Sequence, residues 1–497
     1  MQVPFASHDC PMRVAPQAQD VRNLAALQSL PEVSAERKLG EIRNGWGIMQ
    51  EREPFPALRP WRDLSYLLLF GVASCGILLA SCVCASKPSI ANSHQGSRAL
   101  QPYILLAVAS TGAVGSLAAA FACTLLSRKA PKCAVWAALS SRSALVTLLG
   151  LCFVFDAASK GRAAPGVAGL LFAVFGVCQL VVACRRHARS VPLTAKLTEV
   201  TSDVINVRPC FHSAMALGVF LGFIWTATCT LALARAFIEV REVARYILVS
   251  SGILLFAWGS LVVTKLCHMV HCGIFGLWYH GKNCPRAMLS SLRVAATTSF
   301  GSVCFGSLLV WFLQGLAVIA QCLQRIGQKQ GKCRAVIPST VLDRFVGCME
   351  DVPDCFNDWA LVQCAVRGTS LVESAAATYS VIACANVQYI MEDLLLSSLA
   401  LLSGIVCSLA GGFVAASTGW ALGGASAALV GGSIGVMIGM IAGAAALGGV
   451  SSGIMTVLVC WAEDPLPLIE SHPDVHLELE SKILGRLRGN PALQQHP

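Results

Sequence analysis

Residues 164–184 read APGVAGLLFAVFGVCQLVVAC, a stretch without a single charge, closed by Arg185 and Arg186. A helix needs about 20 apolar residues to cross a hydrocarbon core, and basic side chains gather where such a helix leaves it. This stretch therefore predicts a transmembrane helix. Working outward, stretches of the same kind occur at 64–85, 103–126, 133–155, 210–234, 245–266, 294–322, 394–416 and 433–461. A further stretch, 356–382, is semi-polar and contains Asn357, Gln363, Arg367 and Glu373 among small residues. Hydropathy alone leaves its crossing open, because a helix enclosed by other helices can carry polar groups that face the bundle interior.

The chain has 497 residues, 55% of them hydrophobic and 13% charged, and its mean hydropathy is +0.65. Soluble domains carry about 25% charge. One water-soluble core cannot hide this much apolar surface, whereas lipid solvates it. The expected fold class is all-α, a polytopic transmembrane helix bundle of about ten spans. A polar N-terminal tail (1–63) precedes a membrane domain (64–461), and a second polar tail follows (462–497). The tail 1–63 has no early apolar core, so the first span is expected to act as the insertion signal.

Lys and Arg in the short loops predict the orientation. On the N-terminal side fall Arg43, Arg52, Arg59, Arg62, Arg128, Lys129, Lys132, Arg185, Arg186, Arg189, Lys196, Arg208, Lys282, Arg286 and Arg293. The opposite side has fewer: Lys87, Arg98, Lys160, Arg162, Arg235, Arg241 and Arg245. The rule places the richer side in the cytosol, although the loop 323–355 adds basic residues to the other face. The net charge of +10 fits these loops. No basic block is interleaved with aromatics, so no nucleic-acid partner is expected. The 23 cysteines lie mostly inside apolar stretches, where they act as small hydrophobes. No facing C-x-x-C pairs are present, and no metal site is expected.

Several motifs carry less chemistry than their patterns suggest. Gly276-x4-Gly281-Lys282 lacks the Ser or Thr of a phosphate loop and has Asn283 in its place. Trp278, Tyr279 and His280 also crowd the loop where amides should be free, so no nucleotide cofactor is expected. Gly431-Gly432-Ser433-Ile434-Gly435 matches G-x-S-x-G only by its richness in small residues. No paired carboxylates and no Ser/His constellation point to an enzyme. Gly419, Gly423, Gly431, Gly435, Gly439 and Gly443 share one four-residue register, filled by Ala427. That is the small-xxx-small pattern of close helix packing, or some of these glycines belong to a loop between the last two spans.

Ionisable groups at membrane depth are functional candidates: Lys265, His268, Glu373 and the pair Glu392-Asp393. His268 and His271 lie three apart, as metal ligands could, or as interior histidines bonded to carbonyls and serines, or as proton carriers. Trp258, Trp278, Tyr279, Phe305, Trp311 and Phe356 cluster in the second half of the chain. Aromatic faces attract a quaternary ammonium, which has no N–H to donate, by about 0.5–2 kcal/mol each. At span ends the same residues form an ordinary interfacial belt.

The run Ser291 to Val310, SLRVAATTSFGSVCFGSLLV, resembles the signature span of the choline transporter-like family, which includes the fungal "pH nine sensitive" proteins. Trp258 through Tyr279 is similar to the family's W…H…G…WY span, with His268, Gly273, Trp278 and Tyr279 in matching positions. Phe356-Asn357…Ala360…Gln363…Ala365…Gly368 is similar to its FN-x-x-A-x-x-Q-x-A-x-x-G motif. Val459-Cys460…Glu463-Asp464-Pro465 and His472-Pro473 are similar to its terminal V-C-x-x-E-D-P…H-P, and Val191 to Ala195 to its I-P-F-A-A. One departure is Lys265, where the family tends to place Asn. The resemblance implies ten spans, cytosolic termini and a plasma-membrane transporter of choline or a related small organic cation. Its substrate-binding candidates are Trp258, His268, Trp278, Tyr279, Phe305, Trp311, Phe356, Asn357, Gln363 and Glu373. The expected partners are that cation and the lipid bilayer.

Overall fold

A computed structural model describes residues 55–56, 59–85, 101–161, 163–188, 190–239, 242–282, 286–312, 358–384 and 394–489. Among them every regular element is a helix. In chain order these are α1 (Leu64–Ala85), α2 (Pro102–Lys129), α3 (Pro131–Ser159), α4 (Ala163–His187), α5 (Val191–Val207), α6 (Pro209–Glu239), α7 (Glu242–Tyr279), α8 (Ala287–Ala296) and α9 (Phe300–Phe312). Next come α10 (Asp358–Arg367), α11 (Leu371–Cys384), α12 (Leu396–Glu463), α13 (Leu466–Ser471) and α14 (Pro473–Gly489). Proline opens α2, α3, α6 and α14, where its missing N–H leaves no helical bond unmade.

Six of the described helices are long and apolar enough to cross a membrane, or seven if α8 and α9, bent by 65°, count as one span. Large apolar side chains point outward along α1, α3 and α4, among them Leu68, Val72, Leu148, Phe155, Leu171 and Phe175. A continuous apolar exterior of this kind is a surface for lipid. The 38 residues of α7 extend about 57 Å at 1.5 Å per residue, well beyond the ~30 Å of hydrocarbon. After Leu254 on α7 and Met440 on α12 no residue up to Tyr279 or Glu463 is exposed. The C-terminal parts of both helices are therefore enclosed by protein, and the polar core lies there.

The glycine register resolves into a hairpin. At Gly424 the backbone turns through φ 73°, ψ −159°, and α12 folds back on itself. A methyl group built at Gly435 would lie 2.3 Å from Gly411 O, one at Gly439 2.4 Å from Cys407 O, and one at Gly443 2.5 Å from the Gly404 backbone. The arms thus run antiparallel in direct backbone contact, and Ser403 Oγ donates to Gly443 O across them at 2.8 Å. The loop expected between 416 and 433 is helical, because a single glycine with positive φ makes the whole turn. α2 packs on both arms through Gly112 and Gly115.

The semi-polar stretch is not one continuous rod. α10 ends at Arg367, Gly368 takes φ +69°, and α11 runs back beside α10. Thr378 Oγ1 donates to Trp359 O at 3.5 Å, and Cys364 Sγ to Ser374 Oγ at 3.1 Å. One uninterrupted helix would hold residues 359 and 378 about 28 Å apart.

The C-terminal helices dock on the same end of the bundle. Lys196 of α5 pairs with Asp474 at 2.9 Å and Glu478 at 3.5 Å. Trp461 Nε1 donates to His476 Nδ1 at 3.0 Å, and His476 Nε2 lies 3.7 Å from Glu480.

Substitutions in the hairpin and at the docked C-terminus should behave distinctly. Gly439→Ala should destabilise the detergent-solubilised protein by at least about 1–3 kcal/mol, because backbone cannot yield. Gly448→Ala, with nothing within 4 Å of the added carbon, should leave the melting temperature unchanged or raise it. Burial holds the His476 imidazole below its ordinary range and the Glu480 carboxyl above its own. A depressed histidine favours the docked state above its unfolded pKa of about 6.5 and withdraws that support as pH falls, while Glu480 acts in the opposite sense. In Glu480→Gln, proteolytic release of α14 should therefore increase between about pH 7.5 and 5.5, and His476→Gln in that background should flatten the response.

Candidate functional site

Three helices bring polar residues together in the enclosed part of the bundle. α7 contributes Lys265 and His268, α10 contributes Asp358, Gln363 and Arg367, and α12 contributes Ser452 and Glu463. Lys265 Nζ forms an ion pair with Asp358 Oδ1, their side chains 12% and 32% exposed. His268 Nε2 lies 2.9 Å from Asp358 O. A carbonyl only accepts, so that nitrogen carries the hydrogen. Its Nδ1 stands 2.7 Å from Ser452 Oγ, and the ring is held from both sides. Of the readings open for His268, this is the interior histidine bonded to a carbonyl and a serine.

Further along α10, Gln363 Nε2 donates to Glu463 Oε1, and Arg367 Nη2 donates to Glu463 Oε2 at 2.9 Å. Gln363 is 1% exposed, yet its Oε1 has no hydrogen-bond partner among the described residues. That leaves one buried acceptor available inside the polar core. Tyr279 closes this end, its hydroxyl donating to Asp464 O at 2.7 Å.

The residues before α1 hold the break between α10 and α11. Arg59 donates to Ala365 O at 2.9 Å and Val366 O at 3.1 Å, carbonyls left without partners at the end of α10. Asp63 Oδ2 accepts from Leu371 N at 3.2 Å and from Ser302 Oγ at 2.6 Å. The cation thus meets the negative end of one helix and the anion the positive end of the next. The same segment enters the α8–α9 bend, where Arg62 N donates to Thr298 O at 2.9 Å.

The ten residues proposed from sequence fall into separate groups. His268 and Gln363 lie in the polar core. Trp258 donates from Nε1 to Cys304 O at 3.3 Å and packs edge-on to Phe70. Phe305 stacks on Tyr66, centroids 4.1 Å apart, and Trp311 is half-buried near the end of α9. Trp278 lies beside Phe275 and His472 at the far end of α7. Trp258 and Tyr279 share one helix and stand about 31 Å apart along it, so the aromatics cannot form a single cage around a small cation. Glu373, half-exposed, lies 4.0 Å from Arg62. Phe356 and Asn357, like Glu392 and Asp393, lie outside the described residues. Sequence reasoning missed Asp358, and it named Glu463 only as part of the E-D-P motif. Glu463 is 13% exposed and paired with Arg367, a partner that the motif does not reveal.

Lipid-facing helices around a paired polar core define the class: an integral, multi-pass α-helical membrane protein. Residues 170–466 match the profile of the family described as plasma-membrane choline transporter, and this chain belongs to that family. A "Protein PNS1" from Mycosarcoma maydis is 27% identical over 456 residues, 84% of this chain and 82% of that protein. A "CTL-like protein" from Dictyostelium discoideum is 23% identical over 316 residues, 62% of this chain and 55% of that one. A "Protein PNS1" from Candida albicans is 26% identical over 251 residues, 46% and 48% of the two chains. The chain thus spans about half the length of two of these relatives and most of the third.

Removing one member of a buried pair leaves the other charge uncompensated, at about 3–5 kcal/mol. Arg367→Met should accordingly lower the melting temperature sharply, and Arg367→Met with Glu463→Gln should recover much of the loss in the same thermal assay.

Proposed function

We propose that the protein carries choline or a related small organic cation across the plasma membrane by alternating access, either facilitated or coupled to an ion. Family membership supports transport. The structural observation that carries the reading is the buried Gln363, whose Nε2 is engaged by Glu463 while Oε1 has no partner among the described residues. A polar atom of this kind, on a helix interrupted at Gly368, suits a site that receives a solute. Broken helices are a recurrent way of building such sites in transporters. Trp258, Trp278, Tyr279, Phe305 and Trp311 would then border successive parts of a path, with His268 and Gln363 in its polar section and Glu373 at its end beside Arg62.

Purified protein in vesicles should take up labelled choline saturably, tested alongside ethanolamine and polyamines with and without a proton gradient. Gln363→Leu should raise KM about tenfold, the worth of one hydrogen bond within a charged site. Glu373→Gln should lower uptake at equal surface level. Flat uptake across the whole panel would overturn the transport reading in favour of a membrane scaffold.

A further inference from the structure

Lys265 is a cation placed inside a site read as one for cations. Its ammonium occupies Asp358 Oδ1. Asp358 opens α10, and its side chain remains one-third exposed while Lys265 is nearly enclosed. The Asp358 side chain is thus partly open, and the protein's own ammonium covers its Oδ1. Beside it stand Lys265 and His268 of α7, while Gln363, Arg367 and Glu463 form a second polar group further along α10. Glu463 is already engaged by Arg367 and Gln363, so it is not open in the same way. Among the described residues of this core, Asp358 is the more open carboxylate, its side chain 32% exposed against 13% for Glu463.

Resting on the transport reading above, we infer that Asp358 is the counter-ion for the substrate's ammonium group and that Lys265 is its built-in competitor, which the substrate must displace. Lysine suits this role. Its ammonium is a compact charge on a flexible stem, able to swing away, whereas a guanidinium would hold the carboxylate with a rigid two-pronged grip. The competitor also sets specificity. A weakly charged or neutral solute cannot displace Lys265, so solutes without a full positive charge are refused. A binding-competent state populated only part of the time raises the apparent dissociation constant by the reciprocal of that fraction. Removing Lys265 should therefore tighten binding, whereas loss of a substrate contact would weaken it.

The test uses the full-length protein in vesicles, with labelled choline for uptake and tetramethylammonium as the ligand in a thermal-shift titration. Lys265→Asn should lower KM for choline about tenfold if Asp358 is free roughly a tenth of the time, and it should protect more strongly with tetramethylammonium. Lys265→Arg should raise KM, and Asp358→Asn should abolish both uptake and protection. Unchanged KM in both lysine variants, with only the melting temperature altered, would mean a purely structural ion pair and would overturn the inference while leaving transport standing. If the parent protein takes up none of the cations, the transport reading fails. The titration then decides the inference separately: no gain of protection in Lys265→Asn overturns it.

Discussion

Because Gly435, Gly439 and Gly443 carry no side chain, the two arms of α12 meet at the backbone, and the other helices are spaced from that contact. α2 lies against both arms through its own glycines, and α6 and α7 pack on the long second arm through Gly218, Gly222 and the segment around Gly449. Within lipid there is no general hydrophobic drive to push helices together, so close approach of small residues supplies much of the attraction. A hairpin this tight also fixes where the second arm ends. It carries Ser452 and Glu463 past the lipid-facing zone and beside α7.

The second constraint is electrical. Where α7, α10 and α12 meet, polar groups are removed from water and each needs a partner. Lys265 answers Asp358, Arg367 answers Glu463, and His268 is fixed between a carbonyl and a serine. The break between α10 and α11 exposes the ends of two helices, and the segment before α1 meets them with Arg59 and Asp63. The segment from Arg59 to Asp63 is thereby part of the bundle's closure as well as the lead-in to α1. A solute entering the polar core would have to exchange one set of these pairings for another.

The sequence by itself determined the membrane class, the family and most of the helices. Runs of apolar residues of spanning length leave no other economical solution, and the ordered motifs from Trp258 to Pro473 specify the family. The small-residue register was legible as packing, although its partner was not: a four-residue repeat says that something approaches closely without saying what. Gln363 and His268 were legible as polar residues at unusual depth.

Only the tertiary structure decided which of these groups meet. Lys265 and Asp358 are ninety-three residues apart and Gln363 and Glu463 a hundred, and no local pattern encodes such separations. The turn at Gly424 and the fold-back at Gly368 depend on single backbone angles that hydropathy averages away. The heights of the aromatics are decided in the same way: a straight helix of 1.5 Å per residue carries Trp258 and Tyr279 to different levels of the bundle. Periodicity shows which face of a helix is buried, and the pairing of distant charges, set by the cost of leaving any one alone, shows what that face meets.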